Sequence, residues 1–385
     1  MLAQAGDAAV EIERELFNSG GVRIEREIIR DQQGRAIRNG KEVRFDLSGN
    51  PVLERHFRDN VLQGPWTEWY PSGEKKTEGS YANGKRDGRW LHYSRSGFVI
   101  LETNYRKGVR HGKRIERVTA TKKVVESDYV DGNLHGVHHE WYPNGSDKLE
   151  QHFKNGKLHG VERRWYQDGQ LDVEANYQDG KKHGLYREWF FNGQLIKSVN
   201  YDHGDAEGEA KTFYASGRRK SEGVYLHGDI DGVWRDYYDN EANQLQAEFH
   251  YTHGKQDGPQ IAWYENGRKT MEVNFENGVE QGPWTEWYES GAKKVEGNYL
   301  NGHFEGLQTF WFENQRKWAV REYLRGKRHG TWRDWDEEGN LVSEEHYRNG
   351  RRLASPPPGD SERRKTPAVD MTGSRKTTPS PGVES

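Results

Sequence analysis

A glycine recurs every 24 residues along most of this 385-residue chain and opens twelve similar blocks between Gly64 and Leu353. The block that opens at Gly232 is longer than the others by two residues. Similarity at a fixed period of this size indicates tandem repeat units, each of which contacts mainly its neighbours. We therefore expect a repeat array instead of the two or three globular domains that are usual for this length. The opening glycines are Gly64, Gly88, Gly112, Gly136, Gly160, Gly184, Gly208, Gly232, Gly258, Gly282, Gly306 and Gly330.

The pattern within each block predicts two strands and two turns. In the block that opens at Gly160, residues 161–166 and 170–177 read as strands. An Asp-Gly pair separates them, and such a pair tolerates the positive φ of a tight hairpin turn. Residues 178–184 are predicted to form the second turn, and glycines at so many fixed places disfavour a helix. The chain therefore predicts an all-β fold, an elongated single-layer antiparallel β-meander of tandem hairpins.

Aromatic residues occupy two regular positions in the block. A ring closes the second strand in all twelve blocks, and a ring stands late in the first strand in eleven, with Arg117 in the remaining one. Because successive strand residues point to opposite faces, rings are predicted on both faces. The tryptophans late in the first strand form the candidate binding face, although the same rings can serve only to hold the sheet together. These tryptophans are Trp69, Trp141, Trp165, Trp189, Trp263, Trp287, Trp311 and Trp335.

Three regions follow from the repeat boundaries. Residues 1–39 are predicted to be a divergent N-terminal cap, because terminal repeats are usually atypical. Residues 40–353 form the array, with a degenerate block at 40–63 and the twelve regular blocks at 64–353. Residues 354–385 hold six of the twelve prolines and no aromatic residue. This last segment is predicted to be a disordered tail, since it cannot bury enough apolar surface to offset its ordering entropy.

The blocks resemble MORN repeats. The resemblance rests on residues 81–90, with the sequence YANGKRDGRW, and on the pattern Trp-Tyr-x-Asn-Gly at residues 141–145 and 263–267. The second pattern is similar to the bacterial MORN-repeat variant found in proteins named as YwqK-type antitoxins. The resemblance covers roughly residues 40–353. It implies a gently curved antiparallel sheet used for binding, and it brings no functional residues to carry across.

The sequence carries no motif of a familiar enzyme class. It contains no P-loop, no Gly-x-Ser-x-Gly elbow, no His-Glu-x-x-His and no cysteine nucleophile. We therefore predict a protein without catalytic residues or a bound cofactor. A glutamate early in the second strand recurs in ten blocks and is predicted to pair with Lys or Arg across strands. These residues are Glu78, Glu102, Glu126, Glu150, Glu174, Glu222, Glu248, Glu272, Glu296 and Glu344.

A histidine precedes the opening glycine in five blocks. Equivalent positions in adjacent blocks lie two strands apart, roughly 9.6 Å. One ion cannot join them, because zinc binds a histidine nitrogen at about 2.0–2.1 Å. These histidines are therefore predicted to be polar turn residues, and no metal site is expected. They are His111, His135, His159, His183 and His329.

The balance of charged residues limits which classes of partner are expected. The 58 Lys and Arg nearly balance the 61 Asp and Glu, so the chain has no long-range attraction for nucleic acid or for an anionic membrane. As written, the sequence predicts a cytoplasmic protein. Ala3-Gln4-Ala5 has the small-x-small form of a cleavage site, so export stays open if the true start lies upstream.

These observations predict a non-enzymatic repeat scaffold that binds a protein partner along an extended sheet face. Two alternatives stay open. One is an exported cell-envelope or carbohydrate-binding protein, although no pattern in the sequence directly supports contact with a membrane or a glycan. The other is an antitoxin-like protein that neutralises a toxin by direct contact, as the family name implies.

Overall fold

The computed structural model describes residues 9–354, which form strands and turns without a helix. Among these residues no helix is long and apolar enough to cross a membrane. The predicted disordered tail, apart from its first residue, and the Ala3-Gln4-Ala5 motif lie outside the described residues. The chain divides into two compact units. The first unit runs to Gly282 and includes Glu289–Gly291, and the second contains Pro283–Tyr288 and the chain from Ala292 onward.

The strands follow the block period. Those of the first unit are β1 (Glu11–Leu16), β2 (Val22–Arg30), β3 (Ala36–Phe45), β4 (Pro51–Arg58), β5 (Val61–Trp69), β6 (Lys75–Ala82), β7 (Lys85–Tyr93), β8 (Val99–Arg106), β9 (Val109–Arg117), β10 (Lys123–Val130), β11 (Asn133–Trp141), β12 (Asp147–Lys154), β13 (Lys157–Trp165), β14 (Leu171–Gln178), β15 (Lys181–Lys182), β16 (Gly184–Trp189), β17 (Leu195–Asp202), β18 (Asp205–Phe213), β19 (Arg219–Leu226), β20 (Asp229–Ile230), β21 (Gly232–Tyr237), β22 (Leu245–Thr252), β23 (Lys255–Trp263) and β24 (Lys269–Glu276). Strand β25 (Val279–Trp287) contributes residues to both units. Those of the second unit are β26 (Lys293–Leu300), β27 (His303–Phe304), β28 (Gly306–Trp311), β29 (Lys317–Leu324), β30 (Lys327–Trp335), β31 (Leu341–Arg348) and β32 (Arg351–Arg352).

Within each unit, strands that follow one another along the chain pair antiparallel. Strand β13 pairs with β12 before it and β14 after it, and β30 is paired with β29 and β31 in the same way. Three first strands are interrupted by one residue, as between β15 and β16, and both parts pair with the same preceding strand. The predicted fold class, an all-β antiparallel meander of hairpins, is confirmed.

The predicted turn at residues 178–184 is wrong, because the actual turn is much shorter. Only Asp179 and Gly180 separate β14 from β15, with φ of 52° and 88°. Two consecutive positive φ values are typical of a type I′ hairpin turn, whose twist matches that of the flanking strands. The chain resumes its strand at Lys181, so Lys181 and Lys182 belong to a strand and only His183 separates them from β16.

The block-opening glycine lies at a bulge. Val173 pairs with Glu188 and Tyr177 pairs with Lys182, so seven residues of one strand segment oppose five of the other. Gly184 lies among the seven, with φ of 96°. A bulge of this kind bends a strand and raises its twist. A glycine at a bulge and a glycine at a turn look alike in sequence. This explains why the predicted turn is longer than the actual one.

The strand register assigns the rings to two faces. Leu91 and Ile115 are buried on one of them, but most of the buried side chains lie on the other. We call this second face the ring face, and it carries the third residue of each block together with the ring that closes the second strand. On it the rings of Tyr81 and Trp90 meet edge to face at 5.2 Å, and Trp90 is 1% exposed. In the second unit, Trp332 lies 5.3 Å from Tyr323 and 5.1 Å from Tyr347. Ring pairs of this kind stabilise a sheet through cross-strand contact.

Glycines inside the second strand make room for tryptophans on the ring face. A Cβ atom on Gly79 would lie 2.3 Å from Cδ2 of Trp90. A Cβ atom on Gly223 would lie 2.2 Å from Cε3 of Trp234. Both distances are far below van der Waals contact, so any larger residue must displace the indole. Glycine is required here because of close approach, whereas at the turns it is required because of backbone conformation.

Candidate functional site

All eight predicted tryptophans occupy one equivalent place in their hairpins. Each is the last residue of a first strand, and each is half-buried. The register places them opposite the ring face, since Trp66 and Gly79 pair on the ring face while Trp69 and Lys75 pair on the other. Trp69, Trp141, Trp165, Trp189 and Trp263 belong to the first unit, and Trp287, Trp311 and Trp335 belong to the second.

Three of these tryptophans stand in consecutive blocks of the first unit. We call Trp141, Trp165 and Trp189 the tryptophan row. Equivalent residues of adjacent blocks lie roughly 9.6 Å apart along the sheet. The imidazole of His139 lies between two of the indoles, stacked at 4.0 Å on Trp141 and at 6.5 Å from Trp165. The imidazole of His139 is therefore roughly parallel to the indoles of both Trp141 and Trp165 on this sheet face.

The backbone at the tryptophan row is held by tyrosines of the preceding blocks. The hydroxyl of Tyr142 donates a hydrogen bond to the carbonyl of Trp165 at 2.9 Å, and that of Tyr166 donates to the carbonyl of Trp189 at 2.9 Å. Both tyrosines directly follow a tryptophan in sequence. The sequence shows that a Tyr or Phe is usual there, but the long-range hydrogen bond becomes visible only in the structure. These bonds fix the strand ends that carry the indoles.

A chain of ion pairs runs beside the row. Arg163 lies 3.0 Å from Glu174 and 3.6 Å from Glu150, and Arg187 lies 3.7 Å from Glu174. The predicted pairing of the repeated glutamates with Lys or Arg across strands is confirmed here. Half-exposed pairs of this kind contribute little stability individually, about 0–1 kcal/mol. The pairs do give the sheet face beside the indoles an alternating pattern of positive and negative side chains.

Hydrogen bonds from basic side chains lower the pKa of two other glutamates of the first unit. The hydrogen bond from Arg89 holds the pKa of Glu102 below its ordinary range. The hydrogen bond from Lys148 likewise lowers the pKa of Glu140. A catalytic acid needs the opposite shift, as in glycosidases. Arg117, which replaces the usual ring, lies 3.6 Å from Glu102 and joins the same network.

Four of the five histidines before the opening glycines lie in strands, and His183 lies between β15 and β16, so their predicted location in turns is wrong. Each of three accepts a hydrogen bond at Nδ1 from the backbone N–H of a turn residue 20 positions later. His135 accepts from Asn155 at 3.4 Å, and His159 accepts from Asp179 at 3.5 Å. Other blocks place different acceptors at this position, which are Gln63, Asp87, Glu207, Asp231, Asp257 and Glu305. The shared requirement is an acceptor atom, which explains why the residue type varies.

Comparison with known families identifies the repeats. Five segments match the family described as "MORN repeat variant", at residues 62–83, 158–179, 182–203, 280–301 and 328–349. The predicted resemblance to MORN-variant repeats is therefore confirmed, while the link to YwqK-type antitoxins stays a prediction. No curated protein matches the chain significantly.

Solved structures give only distant likenesses. A crystal structure of TcdB2-TccC3-Cdc42 is 12% identical and has a TM-score of 0.16, with 89% of this chain and 23% of that chain covered. The Tc holotoxin pore of Photorhabdus luminescens is 12% identical with a TM-score of 0.16, over 89% of this chain and 20% of that one. A putative 6-phosphogluconolactonase from Bacteroides fragilis is 11% identical with a TM-score of 0.14, over 88% and 95%. This chain spans about a quarter of the length of the TcdB2-TccC3-Cdc42 chain that it matches. Scores this low support no inference about this protein.

Proposed function

The chain is built from MORN-variant repeats, and we propose that it is a non-enzymatic scaffold that binds a protein partner on the tryptophan row. The observation that carries this proposal is the arrangement at Trp165 and Trp189. Their backbone carbonyls are held by Tyr142 and Tyr166, while their indoles remain half-exposed on the sheet. Rings that are positioned before a partner arrives lose little entropy on binding.

The opposite face supplies the main packing of the sheet. Trp90 is 1% exposed and Val173 is 2% exposed, and both lie on the ring face. The indoles of the tryptophan row are less buried than either of these side chains. We infer that the row contributes less to folding than the ring face does, so its regular tryptophans are available for another role.

The chemistry of the face favours a polypeptide ligand. Aromatic residues and arginine are enriched at protein interfaces and among the residues that dominate binding energy. Here Trp165 lies beside the alternating charges of Arg163, Glu174 and Arg187. A partner segment with apolar side chains and charges of both signs fits this surface. A nucleic acid fits poorly, because the glutamates offset the arginines that phosphates require.

The proposal is tested by affinity capture with the full chain as bait, compared with a variant in which Trp141, Trp165 and Trp189 are changed to Ala. A protein captured by the intact chain is then purified, and its binding to both forms is measured directly. We expect the triple variant to lose at least about tenfold in affinity, since tryptophans at the centre of an interface typically contribute 2 kcal/mol or more.

Phe191→Ala is the matched control, because Phe191 is a 73% exposed ring in the adjacent turn. This variant is expected to bind like the intact chain. Circular dichroism must show that all forms keep their strand content. Equal partner binding by the intact chain and the triple variant contradicts the proposed surface. Capture of a glycan instead of a protein supports the carbohydrate-binding alternative.

A further inference from the structure

Three metal-binding side chains meet at the turn between β17 and β18. His183 lies between β15 and β16, Asp202 ends β17, and His203 is the first residue of the turn. Nδ1 of His183 lies 3.0 Å from Oδ1 of Asp202, and Nδ1 of His203 lies 2.6 Å from the same oxygen. One nitrogen or oxygen atom from each of the three residues lies within 4.8 Å of the others.

This place departs from the hydrogen-bond pattern of most blocks. In most of them the residue before the opening glycine accepts a hydrogen bond from the first turn residue, as His159 does from Asp179. Nδ1 of His329 also lacks such a partner among residues 9–354, but no second histidine stands in its turn. The turn here keeps its usual position, since the N–H of Gly204 donates to the carbonyl of Lys182 at 2.8 Å. Nδ1 of His183, however, is buried and has no hydrogen-bond partner among residues 9–354. The Nδ1 atom, which is the acceptor in most other blocks that have a histidine here, is present, but it faces Oδ1 of Asp202 instead of a backbone N–H.

At 3.0 Å, a lone pair on Nδ1 of His183 is repelled by the carboxylate oxygen unless a hydrogen on Nδ1 or a metal ion lies between them. Nδ1 makes no hydrogen bond of acceptable geometry with any of residues 9–354, which leaves a metal ion as the candidate partner. Two imidazoles and one carboxylate match the nitrogen and oxygen ligands that zinc and related ions prefer, and they do not match the all-oxygen sites of calcium and magnesium. Ligand atoms of a tetrahedral zinc ion are about 3.3 Å apart, given bonds of about 2.0 Å. The two distances to Oδ1 of Asp202 are shorter than this spacing, so the side chains must move apart to hold an ion, and Asp202 and His203 are exposed and can do so.

We propose that His183, Asp202 and His203 bind one divalent transition-metal ion, best matched by zinc, with water in the remaining position. The ion connects the turn after β17 to the strand of the preceding hairpin. It takes the place of the hydrogen bond that joins the equivalent elements in most other blocks. The proposal rests on this geometry and is independent of the proposed protein partner. It also differs from a metal ladder along the five histidines, because His203 and Asp202 occupy other positions of the block.

The array itself supplies suitable substitutions for a test. Glutamine stands in the His183 position at Gln63, where it accepts the N–H of Asn83 at 2.8 Å, so His183→Gln preserves the acceptor. Asparagine stands in the His203 position at Asn83 with φ of 49°, so His203→Asn preserves the turn. Each variant removes one imidazole ligand and keeps a residue that the fold accepts at that position.

The experiment is calorimetric titration of the chelator-treated full chain with zinc alone. We expect the wild type to bind one ion at this site, and each of H183Q and H203N to lose at least about tenfold in affinity for it. The matched control is H159Q, because His159 has Asp179 at 3.4 Å but lacks a second histidine in its turn. It is expected to bind zinc like the wild type. Thermal unfolding provides a second readout, since a ligand that binds only the folded state raises the melting temperature.

The proposal is overturned if H183Q and H203N bind zinc as tightly as the wild type. Loss of binding in H159Q to the same degree also overturns it, because such a result indicates diffuse binding by surface histidines. A zinc-dependent rise in melting temperature that disappears in H203N and persists in H159Q supports it.

Discussion

The phenol of Tyr142 donates a hydrogen bond to the backbone carbonyl of Trp165, 2.9 Å away in the next block. The same bond recurs from Tyr70 to Tyr93 at 2.8 Å and, in the second unit, from Tyr288 to Trp311 at 2.9 Å. Each of these bonds connects one hairpin to the next near the longer turn of the repeat, such as residues 142–146 between β11 and β12. They explain why tyrosine is common directly after the strand-ending ring.

Removal of this hydroxyl should weaken the connection between blocks. Tyr142→Phe is expected to destabilise the first unit by about 0.5–1.5 kcal/mol, the usual net contribution of one hydrogen bond. Denaturant unfolding, read by tryptophan fluorescence, measures the change. The matched control is Phe190→Tyr, at an equivalent position that lacks the hydroxyl in the native chain, and it should cause no loss. Equal stability of Tyr142→Phe and wild type contradicts a structural role for the bond.

Gly79→Ala should destabilise the packing against Trp90, because the new Cβ lies 2.3 Å from Cδ2 of the indole. Overpacking of this kind typically costs about 1–3 kcal/mol. Hydrogen exchange of β6 and β7 amides, together with denaturant unfolding, reports the loss. A second change, Trp90→Tyr, should recover part of it, because Ala175 is already accommodated beside Tyr186 at the equivalent positions. Additive losses in the double variant contradict the steric explanation.

Acid should weaken the ion-pair network of the first unit. The pKa of Glu102 is lowered by its hydrogen bond from Arg89 in the folded state. A lowered folded pKa stabilises the fold above the unfolded value, near pH 4.3 for glutamate, and this contribution is lost as pH falls through the folded pKa. As the pH falls below about 4.3, Glu102→Gln should therefore lose less stability than the wild type does. Unfolding curves across that range measure the slope, and Ser198→Ala, at a position without the glutamate, should keep the wild-type slope.

Deletion of one whole block should be tolerated better than deletion of half a block. Excision of residues 160–183 joins His159 to Gly184 and restores the sequence His-Gly at the junction. Excision of residues 160–171 removes most of β13 and the turn after it, so the tight turns at residues 155–156 and 179–180 follow one another. The strands stay antiparallel, but the following strands run in reverse relative to the earlier ones, and the tyrosine hydrogen bonds that join adjacent blocks at this place are lost. Circular dichroism and melting curves should show a folded shorter array in the first case and a severe loss in the second. Equal damage from both deletions argues against the hairpin repeat.

The sequence predicts the repeat and its strands well because both depend on local patterns. The strand ending at Trp165 and the pairing of Glu174 with Arg163 follow from alternation and charge, and the structure confirms both. The turn around Gly184 could not be read correctly. A glycine at a bulge and a glycine at a hairpin turn both have positive φ, so their residue preferences coincide.

By itself, the sequence determined that this chain is a β-meander of tandem hairpins, because glycines and rings recur at fixed places in the 24-residue blocks. Only the tertiary structure decided which side chains meet across blocks. His135 reaches the N–H of Asn155, and His183 meets Asp202 and His203, through a register shifted by a bulge of two residues. Such contacts depend on how two strands pair in space, and no spacing within one block encodes that pairing.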